Sequence, residues 1–132
     1  MATIEKTFAV KAPLEHVWSA LRDVGAVHTR LARHFVVDTR LEGDSRLVTF
    51  ANGTTVRERF VTIDEARHRL VYSVREWVLT HHNGSFEVFV EGAGACRIVW
   101  VADILPDHHA ELVDGFMEQG AAAIKQTLES PQ

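Results

Sequence analysis

Apolar residues recur along this chain with two different periods. From residue 107 to 129 the spacing is three and four: Val113, Phe116, Gly120, Ile124 and Leu128, with Leu112, Met117 and Ala121 beside them. Glu111, Asp114, Glu118, Lys125, Gln126 and Glu129 fall mostly on the opposite side. This pattern predicts an amphipathic helix of about six turns, with Asp107, just after Pro106, as its N-cap. Gly115 and Gly120 interrupt it, each at a cost of about 1 kcal/mol relative to Ala. Gly120 lies on the apolar face and runs into Ala121, Ala122 and Ala123. A helix that only fills a core would carry larger side chains there. The small residues predict a bend, a close backbone contact or room for a ligand.

The other period is two. Ile4, Phe8 and Val10 fit an alternating strand. Pro13 then opens a helix, where its missing N–H is no loss, and Leu14, Val17, Trp18, Leu21 and Val24 form its buried stripe. Gly25 ends it, and a short second helix follows over 26–32. From His34 onward short strands alternate with turns. Phe35, Val37, Thr39 and Leu41 alternate, and Glu42-Gly43-Asp44 turns the chain into 45–51. Asn52-Gly53 is the strongest hairpin signal, since both residues tolerate positive φ. Strands are predicted over 54–63, 69–76, 84–90 and 95–105, with an irregular segment over 77–83. Connections this short imply antiparallel pairing. One face of such a sheet needs cover, and only the terminal helix is large enough to give it. The order is strand, two helices, six strands, long helix: one α+β domain spanning 1–132.

Composition narrows the function more than the fold. The chain has 132 residues and a formal net charge of −4, with no basic tract, which argues against duplex nucleic acid as a partner. No apolar run approaches the ~18 residues of a membrane span. Residues 1–6 are polar and charged, without a signal-peptide core, so a cytoplasmic location is the default expectation. The lone Cys96 excludes an internal disulfide and a thiolate-rich zinc site; it reads as a small buried apolar residue. No phosphate loop, Gly-x-Ser-x-Gly or dinucleotide fingerprint is present. No cofactor or metal is expected, and the oligomeric state is left open.

Four segments carry a family resemblance. "VKAPLEHVWSALRD" (10–23), "VRERFVTID" (56–64), "LVYSV" (70–74) and "CRIVWVADILP" (96–106), followed by the terminal helix, resemble the polyketide cyclase/dehydrase and lipid transport family of the START-like (Bet v 1-like, SRPBCC) superfamily. The resemblance implies the helix-grip fold, a curved seven-stranded antiparallel sheet around a long C-terminal helix with a cavity between them. It also implies functions that range over hydrophobic-ligand binding, lipid transport, polyketide cyclisation and cochaperone work. Membership alone does not choose among these.

Alternation then assigns candidates to the cavity. Over 54–63, Val56, Glu58, Phe60 and Thr62 are placed inward, because the opposite register would bury Arg57 and Arg59. Glu58 matches the family's glutamate and is a candidate general acid/base. Tyr72 and Trp100 match its tyrosine and tryptophan; the Tyr72 hydroxyl would bond a ligand carbonyl or Glu58. Of the adjacent His81 and His82, the parity of Phe86, Val88 and Val90 favours His82 as the inward one and as a second acid/base candidate. Trp77 would edge the entrance. The candidate catalytic set is Glu58, His82 and Tyr72. The candidate ligand-binding set adds Phe35, Val37, Val56, Phe60, Val74, Trp77, Phe86, Val88, Trp100, Phe116, Met117, Gly120 and Ile124. The leading expectation is a module that binds a small hydrophobic or aromatic ligand. A cyclase/dehydratase-type enzyme is the second reading and a protein-binding, cochaperone-like domain the third.

Overall fold

A computed structural model describes residues 2–75 and 78–131. The elements run β1 (Ala2–Val10), α1 (Leu14–Arg22), a π-helical turn (Val27–Leu31), β2 (Val36–Glu42), β3 (Ser45–Phe50), β4 (Thr55–Asp64), β5 (Arg69–Arg75), β6 (His81–Val90), β7 (Cys96–Leu105), a 3-10 turn (Asp107–His109) and α2 (Ala110–Glu129). The seven strands form one antiparallel sheet in the order β1-β7-β6-β5-β4-β3-β2. From β2 to β7 it is a meander. α1 and the π-helical turn carry the chain from one edge, β1, to the other, β2.

The alternation expected of half-covered strands is clearest in β7. Cys96, Ile98, Trp100, Ala102 and Ile104 are all buried, while their neighbours are half-exposed. The same face receives Leu70, Tyr72 and Val74 from β5 and Phe86 and Val88 from β6. α2 covers it with Val113, Met117, Gly120, Ala121, Ile124 and Leu128.

The C-terminal end of α2 is fastened from several sides. Glu129 accepts from the Lys11 amide at 2.8 Å, and Lys125 donates to the Ala9 carbonyl at 2.7 Å. Thr127 Oγ1 accepts from the Arg33 amide at 3.0 Å, and His16 Nε2 donates to the Leu128 carbonyl at 3.2 Å. Nearer its start, α2 is held by one lysine: Lys6 Nζ reaches Asp114 at 2.9 Å and Glu118 at 2.7 Å.

Several local expectations are corrected. Asp107 is not the N-cap of α2; it begins the 3-10 turn, and the N-cap position of α2 falls to His109, whose side chain makes no capping bond. β6 starts at His81 rather than 84, because its first residues pair with Leu105, Ile104 and Asp103 of the long β7. A register shift between Val36 and Asp38 turns Val36 inward and leaves Val37 53% exposed. A second shift between Phe60 and Thr62 ends the inward parity of β4, so Thr62 is exposed. Each bulge inserts one residue and so exchanges the faces beyond it. Val90, at the hairpin end of β6, is also exposed.

Candidate functional site

The space between sheet and α2 is not filled. A hollow of about 70 Å³ remains, within a depression of about 780 Å³ when its open mouth is included. Its walls are apolar: Val56 and Val74 from the sheet, Met117 and Ile124 from α2, and the rings of Phe35, Phe50, Phe86, Trp100 and Phe116.

One wall is a packed aromatic stack. Phe86 and Trp100 lie 4.7 Å apart at 20°, and Tyr72 stacks on Phe86 at 6.1 Å. Trp100 Nε1 donates to Tyr72 Oη at 3.0 Å. Two glycines make room for this stack. A Cβ on Gly84 would overlap the Tyr72 ring, and one on Gly120 would lie 2.9 Å from Trp100 and 3.1 Å from Phe35. Gly120 therefore serves the close backbone contact. Gly115, on the same helix, has open space around it.

The mouth is built differently. Phe35, Phe50 and Phe116 come from a loop, the end of β3 and α2, and meet edge to face or tilted at 4.6–5.3 Å. Residue His34, just before Phe35, has φ 73°, the left-handed region, which is uncommon for a residue with a side chain.

Five polar side chains line the hollow: Arg46, Thr54, Glu58, Tyr72 and His82. Arg46 and Glu58 face each other directly across the β3–β4 ladder, and Arg46 Nε donates to Glu58 Oε1 at 2.8 Å. Arg46 is only 3% exposed. Its Nη1 donates to the Val24 carbonyl at 3.3 Å, and its guanidinium lies over the Phe60 ring at 5.5 Å. A desolvated pair of this kind costs about 3–5 kcal/mol when one partner alone is removed. Burial, followed by the nearby Glu58 charge, pushes the Tyr72 phenol well above its ordinary range, so it remains a proton donor. Burial likewise lowers the pKa of His82, against the opposing pull of Glu58, which favours a neutral imidazole at neutral pH. Its neighbour His81 is exposed and bonds Asn83 Oδ1 at 2.6 Å.

Of the residues singled out from sequence, Phe35, Val56, Glu58, Tyr72, Val74, His82, Phe86, Trp100, Phe116, Met117, Gly120 and Ile124 meet around this hollow. Val37 does not, for the bulge described above. Val88 is buried but packs in the core away from the hollow, and Phe60 sits behind Arg46. Trp77 lies outside the described residues. Tyr72 bonds Trp100 rather than Glu58, and Arg46 takes Glu58. Cys96 is buried, donates to the Ala12 carbonyl at 3.3 Å, and has its thiol pKa raised by burial.

Sequence reasoning missed Val27, Leu31, Ala32, Val36, Arg46, Val48, Phe50, Thr54 and Val113 as lining residues. A signal for Arg46 existed in its shared parity with Val48 and Phe50. It was hidden by the hairpin. The β3–β4 loop holds three residues, Ala51-Asn52-Gly53, closed by a bond from the Phe50 amide to the Thr54 carbonyl at 2.8 Å, and only Gly53 has positive φ, at 91°. A two-residue Asn-Gly turn would have set Arg46 opposite Arg59. Among the described residues no three His, Cys, Asp or Glu side chains converge as a metal site requires, and no helix is long and apolar enough to cross a membrane.

Sheet, helix and intervening hollow define a helix-grip protein. The chain belongs to the polyketide cyclase/dehydrase and lipid transport family, whose model matches residues 1–129. A search of curated proteins gives no match. Among solved structures, an uncharacterised protein of Bacillus thuringiensis superposes with a TM-score of 0.86 at 17% identity, over 98% of this chain and 100% of the other. The di-domain ARO/CYC BexL from the BE-7585A biosynthetic pathway gives 0.83 at 16%, over 98% of this chain and 47% of that one. Norcoclaurine synthase of Thalictrum flavum, in complex with dopamine and hydroxybenzaldehyde, gives 0.73 at 19%, over 99% and 88%. At these identities the likeness establishes the fold.

Proposed function

We propose that this protein binds a small hydrophobic molecule, with an aromatic ring or a short aliphatic body, in the hollow between the sheet and α2. The observation that carries the reading is an apolar hollow with a few polar side chains at one side, the usual composition of a small-molecule site. The volume of about 70 Å³ is roughly half of the ~150 Å³ that admits benzene elsewhere. A ring therefore enters only if the mouth yields. Phe35, Phe50 and Phe116 are the groups suited to it, because they meet edge to face or tilted and Phe116 comes from α2 while Phe35 and Phe50 come from the sheet side. The family contains lipid-transport and cyclase members by its description, and the norcoclaurine synthase neighbour was solved with two ring compounds. Both support this class of ligand.

The test is native mass spectrometry of the purified protein, then titration with toluene, naphthalene and octanol followed by tryptophan emission. One-to-one complexes with at least one ring compound at micromolar to millimolar Kd are expected. Absence of any complex up to millimolar concentration overturns the reading.

A second reading, proton transfer on the bound molecule, is favoured by one observation: His82, a base kept neutral by burial, and Tyr72, a phenol kept protonated, border one hollow. In that reading His82 moves the proton and Tyr72 polarises a carbonyl, while Glu58 is held by Arg46. With an aromatic polyketone as substrate, His82→Ala should abolish turnover and leave affinity within a few fold. Full turnover in that variant removes the assignment.

A further inference from the structure

We infer that the free edge of β2 is a self-association surface, on which a second copy of this chain pairs antiparallel through its own β2, about a two-fold axis at Thr39. The inference goes beyond the ligand-binding reading and does not depend on it.

The sheet is open, with β1 and β2 at its edges. An open edge offers unpaired N–H and C=O groups to any extended chain. At the β1 edge these groups are met by α2: Lys125 donates to the Ala9 carbonyl at 2.7 Å, and Glu129 accepts from the Lys11 amide at 2.8 Å. Among the described residues no such bond reaches the main chain of 37–42 from outside the sheet. The π-helical turn meets β2 from its inner side, where His28 Nδ1 and Thr39 Oγ1 lie 3.1 Å apart. Leu41 and Val37 are 55% and 53% exposed, and the Arg40 side chain is 72% exposed. β2 also carries neither the proline nor the lysine that commonly guards an edge. Its bulge, between Val36 and Asp38, leaves 38–42 in regular register.

Register fixes which main-chain groups are free. The Ala51 amide bonds the Phe35 carbonyl, and the Phe50 amide bonds the Thr54 carbonyl. By alternation the odd-numbered residues of β3 aim their main chain at β2. Asp38, Arg40 and Glu42 stand opposite Thr49, Leu47 and Ser45 and point back at them. Thr39 and Leu41 therefore turn their N–H and C=O groups to the open side.

Charge selects the partner and the register. In a pairing centred on Thr39, Asp38 of each copy stands opposite Arg40 of the other, and Leu41 opposite Val37. The strand is complementary to itself: unlike charges meet twice, and its two exposed apolar residues cover each other. Unlike charges directly opposite stabilise a strand pair, and like charges destabilise it. A centre at Asp38 sets Asp38 on Asp38, and one at Arg40 sets Arg40 on Arg40. A centre at Leu41 runs the pairing into the Gly43-Asp44 turn. The contact is isologous and closes at the dimer.

Sedimentation velocity from micromolar to millimolar protein tests this. Wild type should show a concentration-dependent dimer. Asp38→Arg and Arg40→Asp each turn both unlike pairs into like ones and should weaken dimerisation about tenfold. Both positions are exposed, so the fold tolerates the changes. An equimolar mixture of the two variants restores both unlike pairs and should dimerise within about threefold of wild type. Amide exchange at Thr39 and Leu41 should slow as the dimer fills. A wild type that stays monomeric overturns the inference and leaves the edge to an extended segment of another protein. So does a dimer that both single variants leave intact, a mixture no tighter than its components, or exchange at Thr39 and Leu41 that does not follow dimerisation.

Discussion

The two ends of the hollow are both aromatic, yet they are made by different physics. At the wall, Tyr72, Phe86 and Trp100 stack on neighbouring strands, share a hydrogen bond, and press against glycine backbones at Gly84 and Gly120. At the mouth, Phe35, Phe50 and Phe116 meet edge to face or tilted; the β2–β3 ladder continues through the Phe35 carbonyl, which accepts from the Ala51 amide at 2.9 Å, while Phe116 reaches the pair from α2. Ring contacts of this kind are worth about 0.5–1.5 kcal/mol each beyond their area. The wall adds a buried hydrogen bond and close packing, where displacement costs several times more. The lesson is that aromatic content does not tell a floor from a door; the backbone behind the rings does.

The largest test of this contrast is Gly84→Ala. The new methyl would overlap the Tyr72 ring, and overpacking against backbone-fixed neighbours costs about 3 kcal/mol. Denaturant unfolding should show that loss; a variant within ~1 kcal/mol of wild type would mean the wall is as pliable as the mouth. Phe116→Ala at the mouth should cost about 1–2 kcal/mol, less than a fully buried Phe. Stopped-flow mixing with naphthalene should then show faster association in this variant. Slower or unchanged association would place the opening elsewhere.

The two glycines of α2 sharpen the comparison further. Gly120→Ala sets a methyl 2.9 Å from Trp100, and its steric cost outweighs the ~1 kcal/mol of helix propensity gained, for a net loss of about 1 kcal/mol. Gly115→Ala meets nothing within 4 Å and should stabilise by up to ~1 kcal/mol. Opposite signs in thermal unfolding are expected, and equal signs would remove the close contact from the account.

The smallest effect concerns pH. Burial depresses the His82 pKa below its ordinary 6.5. The unfolded chain then binds more protons on this group than the folded one, so stability is present above the unfolded pKa and is lost as pH falls through it toward the folded value. Thermal unfolding at pH 7.5 and 5.5 should show a smaller acid loss in His82→Phe than in wild type. Identical losses would mean that His82 is not desolvated.

Where one rule decided the outcome, the sequence was readable. β7 alternates without interruption, and Trp100 and Cys96 are buried as the sequence led one to expect. The three-and-four spacing of α2 likewise located Phe116, Met117, Gly120 and Ile124 at the hollow. What failed were features set by a single added residue. The bulge at Val36 and Asp38 exchanged Val37 for Val36, and that at Phe60 and Thr62 turned Thr62 outward. Nothing local marks such insertions, because they answer to the curvature of the whole sheet. Arg46 was harder still. Its burial depends on Glu58 standing opposite, and that depends on the β3–β4 loop having three residues rather than two. Reading Glu58 alone found the carboxylate and not its cation.

The fastening of α2 has a mechanical consequence. Lys11, Ala9, Arg33 and His16 tie down its last two turns through backbone groups on one side or the other of each bond, whereas its leading half leans on the side chain of Lys6. The two halves of the rod are therefore anchored by different means. Phe116 sits on the half of the helix that is seated by the burial of Val113 and Met117 and by one lysine, whereas the half behind it is tied through main-chain bonds.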